Sequence, residues 1–259
     1  FLRNLNLIRR KSLSMTKINK RLVLIEGKSA SGKTCSLRNL KGNVLYFNWE
    51  SGKEIPYRNN FMYVTVTDPN KTFLGDNGVF AQATKNTDKC DTIIIDSLTY
   101  LMDMYENKYV YNSKNTMTAW NDYQQFFKTL MQQQVASAPQ SVIMTAHITD
   151  QMNDEGITES FIKLKGALNN NGIESWFSNV LIAKKMPVAT LKSYENDYLH
   201  ISEEDEDLGF KYVFQTRITK DTTGTRIRSP LGMWKKEETF IDSDCQIVID
   251  RLNNYYGVD

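Results

Sequence analysis

The chain has 259 residues, 41% of them hydrophobic and 24% charged, a composition ordinary for a globular protein with room for one large α/β domain. A net charge of +2 supplies no global basic field, so any nucleic-acid contact has to be local. Three scattered cysteines (Cys35, Cys90, Cys245) and two histidines match neither a disulfide framework nor a histidine metal site and suit a reducing compartment; with no apolar run near the ~18 residues of a membrane span, a cytoplasmic protein without a membrane partner is expected.

In chain order, "FLRNLNLIRRKSLS" precedes Met15 and is read as a non-native or disordered extension over 1–15, with 16–259 as a single domain. "RLVLIE" (21–26) predicts a first strand, followed by a Gly-rich turn and a short helix, and "NVLYFNW" (43–49) a second. "FMYVTVT" (61–67) is a third candidate. "CDTIIIDS" (90–97) is nearly continuous in apolar residues, as in a strand buried on both faces of a parallel sheet. "TAWNDYQQFFKTLMQQQVAS" (118–137) has helical spacing, and "SVIMTAH" (141–147) and "SNVLIAKK" (178–185) are further buried strands. The acidic "EEDEDLG" (203–209), between "DYLHIS" and "FKYVFQTRI", is expected to be a hairpin or long β-connection with His200 on an alternating strand. "DCQIVIDRLNNYY" (244–256) closes the chain as a helix. Alternating strands and helices predict an α/β fold with a mostly parallel central sheet flanked by helices and a C-terminal β-hairpin extension.

The chemistry starts at Gly27-Lys28-Ser29-Ala30-Ser31-Gly32-Lys33-Thr34, with Cys35 following. Glycine, four residues, then Gly-Lys-Thr lets backbone amides face a triphosphate. Lys33 is placed to reach its β/γ end and the Thr34 hydroxyl to ligate Mg²⁺. Lys28 and the loop serines read as solvent-facing fillers. Asp96, at the tip of "TIIID", is a second Mg²⁺ candidate, or else a helix cap before "SLTYLMDMY". Position alone leaves Glu50 either as a general base for an attacking water or as a surface residue of the "ESGKE" turn. His147, at another strand tip, is a γ-phosphate contact or a boundary histidine.

Together "GKSASGKT", "LYFNWE", "TIIIDSLTYL", "VIMTAH" and "KGALNNNGIESWFSNVLIAKK" resemble the RecA-type ATPase core, and specifically the small phage ATPases of the Sak-type single-strand annealing and recombination group. The resemblance covers roughly 20–185. It implies ATP and Mg²⁺ as cofactors, Glu50 as catalytic base, Asp96 as the Walker B aspartate and His147 as γ-phosphate sensor. It also implies DNA-contacting loops over 104–117, offering Lys108, Tyr109 and Lys114, and over 148–166, offering Phe161, Lys163 and Lys165. The second of these also carries Asp150, Asp154, Glu155 and Glu159, which repel phosphates. Lys220 and Arg226, in "TRITKDTTGTRIRSP", are candidate fingers acting on a neighbouring subunit's site, which implies a ring or filament of this chain. Single-stranded DNA and a single-strand binding protein are the implied partners, in a phage-infected bacterial cell. A ring helicase, a packaging or other DNA motor, and a nucleotide-gated binding module with little turnover are the alternatives. A small-molecule kinase is disfavoured because no arginine cluster lies between 34 and 216, and a GTPase because no base-reading Asn/Thr-Lys-x-Asp follows the Asp96 strand.

Overall fold

The computed structural model describes residues 18–49, 54–75, 78–166, 168 and 172–257. Its strands are β1 (Leu22–Gly27), β2 (Val44–Asn48), β3 (Met62–Thr65), β4 (Thr92–Asp96), β5 (Ser141–Met152), β6 (Thr158–Ile162), β7 (Asn179–Pro187), β8 (Phe210–Gln215) and β9 (Phe240–Asp242). Their order across the sheet is β3-β2-β4-β5-β1-β7-β8-β9, with β6 paired to the far end of β5. Pairing is parallel from β3 through β7 and antiparallel for β7–β8, β8–β9 and β5–β6.

Helices cover both faces, which is why the central strands are apolar almost throughout. Leu22 and Leu24 of β1, Ile93 and Ile95 of β4 and Met144 of β5 join one core. That core includes residues of α1 (Pro69–Phe73), α2 (Val79–Lys85), α3 (Leu98–Tyr105) and α4 (Thr116–Thr129). The alternate residues Val23, Ile25, Ile94 and Ile143 form the other. After the short α5 (Val188–Leu191) and α6 (Glu203–Leu208), this second core is closed by Val248, Ile249 and Leu252 of α7 (Cys245–Tyr256). Burying each such side chain contributes about 1.5–3 kcal/mol.

Three expectations are corrected. The acidic 203–209 segment is not a β-connection: Ser202 caps α6 reciprocally with Asp205, and Gly209 ends it at φ 75°. Four acidic residues in the first turn suit the positive end of a helix, so the charge run and the capping pair outweigh strand alternation. His200 lies on no strand; it is exposed and its Nδ1 is 2.9 Å from Asp242. The proposed DNA loops contain regular elements: α3 runs into a π-helical turn, Glu106–Val110, and Ile148–Met152 pairs antiparallel with Thr158–Ile162 as an arm of β5 and β6.

Candidate active site

The topology brings three strand ends together. β5 lies between β1, which leads into the phosphate loop, and β4, which ends at Asp96. Register sets Gly27 level with His147 and Asn48 level with Asp96. Side chains at these tips converge because neighbouring parallel strands are only about 4.8 Å apart.

The loop conformation explains its glycines. A Cβ on Gly27 would stand 2.3 Å from Ser31 Oγ and 2.6 Å from the Ala183 carbonyl, and Gly32 has φ 90°. Ala30 also occupies the left-handed region, at φ 59°, a strained choice for a residue with a side chain. The helix expected after the loop is a single 3₁₀ turn, Thr34–Leu37, so its dipole is small and the loop's own amides supply most of the anion-binding field.

Lys33 is buried, and its ammonium donates to the carbonyls of Gly27 and Lys28, each at 2.8 Å, with His147 Nδ1 at 3.5 Å. Thr34 Oγ1 donates to Asp96 Oδ2 at 2.8 Å. Asp96 also accepts from the Tyr46 hydroxyl at 2.7 Å and, through Oδ1, from Thr145. The His147 amide donates to Thr99 Oγ1 at 2.9 Å. A cavity of about 220 Å³ runs past Gly32, Lys33, Thr34, Asn48, Asp96 and His147. Its all-oxygen pair, the Thr34 hydroxyl and the Asp96 carboxylate, suits Mg²⁺, which takes one or two protein oxygens alongside substrate phosphates. Glu50 lies outside the described residues.

Tyr46 and Thr145 join the site without belonging to any local sequence motif. Both alternate onto the Asp96 face of the sheet, and a threonine inside the apolar run "VIMTA" was the available signal. Lys28 does more than fill the loop: its ammonium is 2.6 Å from Asp150 on the β5–β6 arm. Burial alone would raise the Asp150 carboxyl, but hydrogen bonds from Lys28 and Ser160, together with the Lys28 charge, outweigh it and hold the carboxyl below its ordinary range. Ser29 and Cys35 are exposed on the loop's rim, whereas Ser31 is buried.

The remaining predicted residues lie away from this cavity, and several have partners within the chain. Lys108 is 2.8 Å from Asp68, which also accepts from the Tyr109 hydroxyl. Asp68 is partly desolvated, yet hydrogen bonds from Lys108 and Tyr109 bring it down to about 2. Lys165 pairs with buried Glu106 at 3.0 Å and donates to the Tyr111 hydroxyl. Phe161 is half-buried with the Arg226 guanidinium over its ring, while Lys114 and Lys163 are exposed. Arg226 is 2.9 Å from buried Glu174, so acting on a neighbour would first require breaking that pair. Lys220 is exposed on the short 3₁₀ turn Lys220–Thr222.

A glycine-rich loop at the end of a central parallel strand, a lysine folded into it and an aspartate at a nearby strand tip define a P-loop nucleotide-binding fold. The AAA domain family matches residues 19–207, most of the chain, and the protein belongs to that family. No curated protein matches the chain.

Proposed function

We propose that the protein hydrolyses ATP at this cavity, as a RecA-like enzyme, and that single-stranded DNA is the partner to which hydrolysis is coupled. The observation that carries the hydrolysis reading is the convergence of Lys33, Thr34, Asp96 and His147 on one cavity. In this reading Lys33 leaves the carbonyls of Gly27 and Lys28 for the β/γ-phosphates, while Thr34 and Asp96 hold Mg²⁺. Mg²⁺, when bound, offsets charge on the phosphate oxygens. Water adds to the γ-phosphorus, the bond to the β-γ bridging oxygen breaks, and the water proton passes to a base, the role assigned to Glu50.

What supports the DNA part is continuity. β5 carries His147 and runs on into the arm with β6, and the Lys163 amide donates to the His147 carbonyl at 2.9 Å. A change at the γ-phosphate thus has a direct backbone path to an exposed lysine. ATP turnover measured with and without single-stranded DNA tests this: stimulation is expected, and an unchanged rate removes the DNA-coupled reading. Glu50→Gln should keep ATP binding and lose turnover; normal hydrolysis by that variant removes the base assignment.

A further inference from the structure

A second cavity, of about 470 Å³, lies between the phosphate loop and the β5–β6 arm, with β7 and the 221–225 segment as its other walls. It shares Ser29 and Ala30 with the cavity that holds Asp96 and His147, but contains neither of those residues. We propose that it is an orthophosphate site, and that the phosphate it receives is the one cut from ATP, held there on its way out. This rests on the hydrolysis reading above and assigns a place to the product which that reading leaves without one.

Position comes first. The Lys33 ammonium bonds to the carbonyls of Gly27 and Lys28, so the γ-phosphate end of the site is the end beside Lys28. Lys28 and Ser29 line the second cavity, and a phosphate leaving the γ position on their side enters it directly. Charge comes next. Lys184 of β7 is half-buried; its ammonium donates to Gln215 Oε1 at 2.8 Å and, among the described residues, makes no ion pair. Burial holds that ammonium below the ordinary lysine range, a cost that a neighbouring anion offsets. Gln215 is fully buried and also donates to the Thr222 hydroxyl at 2.8 Å, so one side chain fixes both the lysine and a hydroxyl of the lining. Three lysines against two aspartates leave the lining net positive, and of those aspartates Asp150 is paired with Lys28 while Asp221 is exposed.

An independent observation comes from Ser31. It is only 6% exposed and lines this cavity but not the nucleotide one. Among the described residues its buried hydroxyl has no hydrogen-bond partner. Such a donor carries a cost until something accepts from it, and every phosphate oxygen is an acceptor. The volume leaves room for the ion together with a shell of water, at about 30 Å³ per molecule.

The test keeps the γ position filled. With a non-hydrolysable imido analogue of ATP and Mg²⁺ bound, orthophosphate should still bind wild type, as read by calorimetry. Lys184→Met, which keeps the apolar stem, should weaken that binding at least tenfold. Lys184→Arg should stay within threefold, which marks the loss as one of charge and not of folding. In a single turnover, quenched flow times cleavage and a fluorescent phosphate sensor times release. Release should lag cleavage in wild type, and the lag should shorten at least threefold in Lys184→Met. No phosphate binding to the analogue-loaded wild type, or equal binding by Lys184→Met, overturns the site. Phosphate binding with release as fast as cleavage overturns the exit role, because the cavity then takes free phosphate only. Failure of the hydrolysis reading is distinct: wild type would then cleave no ATP, whereas the dependence of phosphate binding on Lys184 is measured without turnover.

Discussion

At the scale of single residues, Asp96 organises the site. Its carboxylate accepts hydroxyls from Thr34, Tyr46 and Thr145, which come from the phosphate loop, β2 and β5. Hydrogen bonds to a charged group are each worth about 1.5–3 kcal/mol, so three of them fix its orientation. Tyr46→Phe keeps the ring that packs against Phe61, at 6.4 Å between centroids, and removes one donor. Steady-state kinetics of that variant should show kcat down about tenfold with ATP affinity little changed, since a 1.4 kcal/mol loss is tenfold in rate. Lys33→Ala should abolish nucleotide binding, read by titration with ATP, because no other side chain of the loop enters it as a buried cation. The loop, Lys33, Thr34 and Asp96 were legible as sequence because each belongs to a local pattern. Tyr46 and Thr145 were not, since hydroxyls on separate strands meet one carboxylate only after the strands are ordered side by side.

At the scale of elements, β1 carries an unusual residue just ahead of the loop. Glu26 is fully buried between β5 and β7, and neither carboxylate oxygen has a hydrogen-bond partner. Burial, reinforced by Glu174 and only partly offset by Arg226, pushes its carboxyl from 4.5 up to about 8. The folded protein therefore retains a proton that the unfolded chain releases, and stability falls as pH rises from about 4.5 to about 8. Glu26→Gln should flatten that slope and raise the urea midpoint at pH 9 while changing little at pH 5, by a few kcal/mol in the stability difference. A wild-type midpoint that does not move between those pH values would contradict the burial argument. The strands themselves are legible in sequence, whereas α6 is not legible from its charge run, which suits a hairpin or β-connection equally well until the reciprocal Ser202–Asp205 cap is set beside it. Likewise, β5 was expected to end at His147 but continues to Met152, because pairing with β6 extends it past the parallel sheet.

At the scale of the whole molecule, the question is how the nucleotide cavity reaches a partner. The β5–β6 arm is tied to the phosphate loop through Lys28 and Asp150, and to the 219–226 segment through the Ser160 amide and the Gly224 carbonyl at 3.0 Å. One body therefore joins the loop, the arm and the segment bearing Lys220 and Arg226. If the exposed lysine that follows that arm, Lys163, meets a DNA phosphate, affinity should fall linearly with log salt, and Lys163→Ala should reduce the slope by about one. A slope unchanged in that variant would take Lys163 out of any DNA contact. The sequence by itself determined the strand-helix alternation, the phosphate loop and its acidic partner, because spacing along the chain encodes backbone geometry and local chemistry. Only the tertiary structure decided that Lys108, Lys165 and Arg226 are engaged by acids of their own chain, and that Ser31 and Lys184 line one cavity beside the β5–β6 arm. Those outcomes depend on contacts between residues far apart in sequence, set by sheet order and burial, which no local pattern records.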